Sequence, residues 1–179
     1  MELPKAKWSH WRRMKSIMRK HDAGKIDELT ALGSLYKIAD LHNVPIGRML
    51  SCQEGCSYCC VAPVDLSAIE ARYIAEKAGV AQLENPRHVE RQSCYSRCPF
   101  LNKDNECEVY PWRPFNCRTL YAFGTPKQCN PLNNEQQVYF GSVAYGYGSP
   151  FLSDISSNIK RLNQSETVLD IRCFFDIEK

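Results

Sequence analysis

The chain has 179 residues, 44% of them hydrophobic and 24% charged, with a formal net charge of +3. That length favours one domain with its own core, the composition excludes wholesale disorder, and no apolar run approaches the roughly 18 residues of a membrane helix. The small net charge hides an asymmetry: residues 1–25 carry eight Lys or Arg against two acids, and the remainder is net acidic.

Within the basic N-terminal stretch, Trp8, Trp11, Met14, Ile17 and Met18 recur at three- and four-residue intervals, which predicts an amphipathic helix with an apolar stripe packed inward and a solvated basic face. A second helix is expected over 26–42, where Ile26, Leu29, Leu32, Leu35, Tyr36, Ile38, Ala39 and Leu41 give a broad apolar face and Pro45 and Gly47 a stop. In the third, VDLSAIEARYIAEKAG, Ser67 and Glu70 have capping-box spacing and Gly79 supplies the end. A shorter helix is expected over 86–92. Residues 98–110 read as a hairpin: CPFL, the turn-rich NKDNE, then CEVY. PFNCRTL carries Cys117 on a short helix, GSVAYGYGS is a loop, 150–164 a last helix, and VLDIRCFFDI alternates like a strand. The expected fold is mainly α with a small β-hairpin, irregular and loop-rich around a cysteine-built site. It reads as a single domain comprising a helical N-terminal extension over 1–45, a cysteine-rich core over 52–130 and a C-terminal extension over 131–179.

Ten cysteines stand out in a chain of this size. MELPKAKWSHWRRMK lacks the apolar stretch and cleavage site of a secretory signal, so a cytoplasmic location is expected, where thiols stay reduced and clustered cysteines bind metal or do redox chemistry. Residues 52–60, CQEGCSYCC, hold four of them, and Cys59 and Cys60 are too close in sequence to bridge each other without strain. Cys98, Cys107, Cys117 and Cys129 form a second set. Cys56 and Cys59 have the C-x-x-C interval of zinc knuckles and cluster loops, and sulfur donors suit zinc or iron-sulfur centres over magnesium or calcium. Side chains at adjacent positions diverge, so Cys59 and Cys60 are expected to serve different ions, or one to ligate and the other to support it. Two sets of four thiols would suit two zinc ions, two clusters, or one of each, and equally one cluster could take four and leave the rest as buried thiols; spacing alone leaves these open. Cys94 is an alternative ligand four residues before Cys98, and Cys173 reads as a buried thiol. The four histidines form no ligand-spaced pair.

The run C-x3-C-x2-C-C at Cys52, Cys56, Cys59 and Cys60, followed by Cys98-Pro-Phe-Leu, Cys107-x-x-Tyr, Arg113-Pro, Cys117-Arg and Cys129, resembles the bacterial and archaeal CxxCxxCC family of zinc- or iron-chelating and iron-sulfur-cluster-containing proteins. The likeness covers about residues 52–130, with three residues rather than two before the second cysteine. It implies that all eight of these cysteines are metal ligands and that iron, as a 4Fe-4S cluster, takes precedence over zinc. A similar cysteine module occurs in flagellin lysine N-methylases, but no methyl-donor fingerprint is found in this chain. Arg113 and Arg118 flank Cys117, where four thiolates around a divalent ion would leave a charge of about −2 for guanidinium groups to offset.

Three functions follow as expectations. The first is an iron-sulfur protein with a redox, electron-transfer or accessory role and a protein or redox partner. The second is a zinc-stabilised module that contacts a protein, or nucleic acid through the basic N-terminal helix, with no membrane association. The third is a cluster-dependent modifying enzyme. Oligomeric state is open.

Overall fold

The structure, a computed structural model, describes residues 5–47, 55–90, 93, 95–122, 138–140, 149–164 and 167–176. Its helices among these are α1 (Trp8–Asp22), α2 (Glu28–Gly47), α3 (Ala68–Ala78), α4 (Phe115–Thr119), α5 (Pro150–Leu162) and α6 (Ile171–Phe174). The strands are β1 (Asp65–Ser67), β2 (Leu120–Ala122), β3 (Val138–Phe140) and β4 (Val168–Asp170). They form two separate antiparallel pairs, β1 with β4 and β2 with β3. The fold is therefore mainly helical with small β elements, as its sequence pattern implies.

α1 and α5 both pack on α2, which also meets α3 and α4. The first core joins Met14 and Met18 of α1, Leu32, Leu35, Tyr36, Ile38 and Ala39 of α2, and Phe151, Leu152, Ile155 and Ile159 of α5. Each fully buried Leu or Ile there contributes roughly 1.5–3 kcal/mol. A second core gathers Leu66, Ile74, Phe100, Val109, Ile171, Phe174 and Phe175, with Cys98 and Cys107 packed against it. Trp112 touches both, so the cysteine-bearing segment lies where the two cores meet.

Local chemistry explains the element ends. Ser67 and Glu70 form the expected capping box, and Gly79 closes α3 at φ 66°, a left-handed conformation that glycine adopts without a Cβ penalty. Gly33 has a different reason: a Cβ there would stand 2.9 Å from the Tyr73 hydroxyl, so its absence lets α2 and α3 approach.

Four expectations need correction. α2 runs through Pro45 to Gly47: the proline forfeits the bond its N–H would have made to the Leu41 carbonyl, and only two helical residues follow it. Residues 86–90 are not helical; the Arg87 N–H instead donates to the Cys173 carbonyl at 2.8 Å. The hairpin over 98–110 shrinks to one bridge, Leu101 with Cys107, because Asn102 uses its side chain to accept the Asp104 and Glu106 amides and tightens the turn. The strand expected from Val168 ends at Asp170, whose carboxylate accepts the Arg172 N–H and so caps α6. Within the helices, Trp8 and Leu41 lie outside the cores, 71% and 48% exposed. The loop expected over 141–149 lies outside the described residues except at Ser149.

His42 of α2 is buried, its ring 5.3 Å from that of Phe151 and 6.0 Å from that of His10 on α1. Burial, reinforced by His10, holds its imidazole down to about 4. A folded-state value below the unfolded 6.5 means that the unfolded chain binds the extra proton first, so stability is intact above pH 6.5 and drains as pH falls toward 4. The loss should approach 3 kcal/mol, at about 1.4 kcal/mol per unit. Urea unfolding from pH 7.5 to 4.5 should show this slope, and His42→Phe, which cannot titrate, should flatten it.

Candidate metal centre

The first cysteine group is set by a 3-10 turn over Tyr58–Val61. Such a turn rotates about 120° per residue rather than the 180° of a strand, which brings adjacent side chains nearer. Accordingly, the two thiols bias each other: the neighbouring Cys60 draws Cys59 down to about 7, while Cys59 and burial together push Cys60 up. The turn is fastened to the second group through backbone: the Cys98 N–H donates to the Cys60 carbonyl at 2.9 Å.

From there the chain passes Cys98, makes the Leu101–Cys107 bridge and the turn Tyr110–Trp112, and enters α4 with Cys117. Burial raises the Cys98 thiol to about 11, raises Cys107, and raises Cys117 well above its ordinary value. The thiols also sense one another: Cys60 feels Cys59, Cys98 and Cys117, Cys117 feels Cys98, Cys59 and Cys107, and Cys107 feels Cys59. Thiols on four chain segments thus lie near enough to feel one another's charge, each partly screened from water. A soft cation arriving there must displace their protons, and its positive charge then offsets the repulsion among the thiolates so formed.

Among the described residues, no group of three or more His, Cys, Asp or Glu side chains stands in metal-holding geometry. Cys52 and Cys129, two of the eight candidate ligands, and the alternative Cys94 lie outside those residues. Cys56 is half-buried just before the 3-10 turn, and Cys173 is a buried core thiol, 2% exposed. The donor set is uniformly sulfur, which fits a thiolate-bound zinc ion or iron-sulfur centre and not a hard cation.

The two flanking arginines do different work. Arg113 lies 3.9 Å over the Tyr110 ring, and its charge favours the thiolate forms of Cys107 and Cys117. Arg118 is buried and committed elsewhere: Nη1 donates to Asp40 at 2.6 Å, Nε to the Arg113 carbonyl at 2.8 Å, and Nη2 to the Pro111 carbonyl at 2.6 Å. It clasps the Tyr110–Trp112 turn and the end of α4 to α2.

Sequence reasoning missed a third arginine. Arg172 is 2% exposed; Nη1 pairs with Asp170 at 3.0 Å, and Nη2 donates to the carbonyls of Cys60 at 3.3 Å and of Ser96. Both terminal nitrogens also reach the Ala62 carbonyl at 3.4 Å. This one side chain holds the first cysteine turn, the approach to Cys98 and β4 together, and its charge favours the Cys98 thiolate. Opposite charges two apart inside VLDIRCFF were the available signal, since apolar segments carry such a pair only when it is buried and satisfied. Glu70 does more than cap α3. Its Oε1 also accepts the Tyr36 hydroxyl at 2.8 Å and the Phe115 N–H at 2.9 Å, tying α2, α3 and the start of α4.

Residues 51–139 match the model of the CxxCxxCC family, described as a "Putative zinc- or iron-chelating domain". This segment is similar to that family, and metal binding is the property the match supports. A search of curated proteins and a search of solved structures find no match. No helix among the described residues is long and apolar enough to cross a membrane.

Proposed function

We propose that this chain is an iron-sulfur protein, holding a 4Fe-4S cluster on its cysteines and serving a redox, electron-transfer or accessory role with a protein partner. The observation that carries the reading is the joining of the Cys59–Cys60 turn to Cys98 by the 2.9 Å backbone bond, with Cys98 and Cys107 packed on one core, Cys117 near enough to feel their charge, and the charge of Arg172 favouring the Cys98 thiolate and that of Arg113 those of Cys107 and Cys117. Cys56, Cys52 and Cys129 complete the proposed donor set. When bound, a cluster supplies one-electron chemistry at a potential set by net charge, hydrogen bonding and exposure. The chain's own contribution is to hold the thiolates, exclude water with Tyr110 and Trp112, and offset negative charge with two guanidinium groups. A zinc-stabilised interaction module is the second reading, favoured by the C-x-x-C interval of Cys56 and Cys59.

Oxygen-free purification after iron-replete expression should yield a brown protein with iron and acid-labile sulfide in equal amounts, visible absorption that bleaches with dithionite, and a paramagnetic signal in the reduced state. Cys98→Ser and Cys117→Ser should lower the iron content, whereas Cys173→Ala should leave it unchanged. A colourless protein with stoichiometric zinc under those conditions would replace the cluster with a structural zinc site.

A further inference from the structure

The strongest surface feature outside the cysteine region is a groove of about 930 Å³ between α1 and α5. Arg12, Arg13, Lys15 and Arg19 line it from α1, and Arg161 from α5; Asp22 is the acid on its wall. Asp22 Oδ1 stands 3.5 Å from Arg161 Nη2, so it steadies one cation and leaves the others uncancelled. Among the described residues none of Arg12, Arg13, Lys15 and Arg19 is ion-paired. Positions 12, 15 and 19 are neighbours on one helical face, where like charges oppose helix formation. Arg19 in the last turn suits the carbonyl end of α1, but Arg12, Arg13 and Lys15 have no acid among the described residues to answer them and are open to an anionic ligand.

At the start of the same face stands Trp8, 71% exposed although its spacing matches the buried stripe. Arg12, one turn on, holds its guanidinium 4.7 Å from the ring centroid. A largely exposed indole beside a row of cations is the pairing that reads unstacked bases: cations follow the phosphates, and the ring stacks on a base. An acidic peptide would leave the indole idle. A duplex hides its base faces, and a membrane surface would ask for more than one large apolar side chain on this face.

We propose that the α1–α5 groove binds single-stranded nucleic acid, with the five cations on successive phosphates and a base stacked on Trp8. The groove involves none of the cysteine-bearing segments, so the proposal stands whichever metal the chain carries.

The test uses the metal-loaded full chain and fluorescein-labelled oligo(dT), oligo(U) and a duplex of the same length, followed by fluorescence anisotropy between 50 and 200 mM KCl. Both single strands are tried because phosphate and base stacking are common to RNA and DNA; tighter binding of one identifies the sugar preferred. Single strands should bind at least about tenfold more tightly than duplex, with a slope of log affinity against log salt of about −3, as expected for four or five neutralised phosphates. The double variant Arg12→Glu/Arg19→Glu should lose at least about tenfold. Trp8→Ala should lose about tenfold and Trp8→Phe much less, since a smaller ring still stacks. All three side chains are exposed, and circular dichroism checks that each variant keeps its helices. Duplex bound as tightly as single strand, no binding at all, or Trp8→Ala and the charge reversal both without effect would each overturn the proposal. So would equal competition by poly-glutamate, which would reduce the groove to a general anion surface.

Discussion

Replacing Glu70 with alanine is expected to cost the folded protein about 3–5 kcal/mol and to strip it of much of its metal. The carboxylate is 5% exposed and accepts four hydrogen bonds: the Ser67 N–H at 2.8 Å and hydroxyl at 2.7 Å on Oε2, and the Tyr36 hydroxyl and Phe115 N–H on Oε1. Bonds to a charged group are worth about 1.5–3 kcal/mol each, and a donor stranded in the interior costs about 1–3 kcal/mol. Relief from burying a charge returns part of this, so the net lies well below the sum. Against a typical total of about 5–15 kcal/mol, the loss is severe. Its effect on the metal follows from position: Phe115 is the first residue of α4, and Cys117 sits two residues later. Without Oε1 the α4 N-terminus loses the partner of one of its open amides, and Cys117 loses its fixed approach. Glu70→Gln keeps the shape but turns an amide donor toward one pair of donors, so a smaller loss of about 2 kcal/mol is expected. Urea unfolding of the loaded protein, with metal-to-protein ratios for each variant, measures both effects. Parent-like stability and metal content in Glu70→Ala would contradict the role given to this carboxylate.

The parts of the molecule that sequence made legible share one property: the residues that decide them are close in the chain. Ser67, Glu70 and Gly79 announce α3 because a cap is chemistry over three or four positions, and the 3.6-residue rhythm of Met14, Met18, Leu32, Leu35 and Ile38 names the buried faces before any partner is known. The same reasoning fails where a distant partner decides. Trp8 fits the apolar stripe of α1 by spacing, yet it lies at the helix's first turn, where it is left to solvent and Arg12. Asp170 and Arg172 interrupt what reads as a strand because their hydrogen bonds go to Val64, Cys60, Ala62 and Ser96, more than 70 residues back. For the candidate site, the cysteine pattern nominates Cys59, Cys98, Cys107 and Cys117 as candidate ligands. It is silent on what fastens their segments together, since Glu70, Arg118 and Arg172 contribute through contacts across the fold.

Arg172→Met should be the second large loss, again about 3–5 kcal/mol, and its logic is separable by a double substitution. Methionine fills much of the aliphatic volume but leaves Asp170, 6% exposed, as a buried charge without its cation. It also strands the carbonyls of Cys60 and Ser96 that Nη2 now satisfies. Asp170 would keep the Val64 N–H at 2.7 Å and the Arg172 N–H at 2.9 Å, bonds that soften its isolation without neutralising it. Arg172→Lys retains the charge, but one ammonium cannot reproduce a planar fork that reaches an acid and three carbonyls, so an intermediate loss is expected. The double variant Asp170→Asn/Arg172→Met removes both charges and should be more stable than Arg172→Met alone, with a coupling of about 1–3 kcal/mol. Metal content tells a different story in the same series. Among the described residues the Cys60 and Cys98 segments would remain joined by the Cys98 N–H to Cys60 carbonyl bond, so metal retention should stay low in the double variant even as stability returns. Should stability and metal return together, Arg172 acts only by neutralising Asp170. Should metal stay lost while stability recovers, its bonds to the cysteine turn are what align the thiols, and the expected order of metal content is parent, Arg172→Lys, then the two methionine variants.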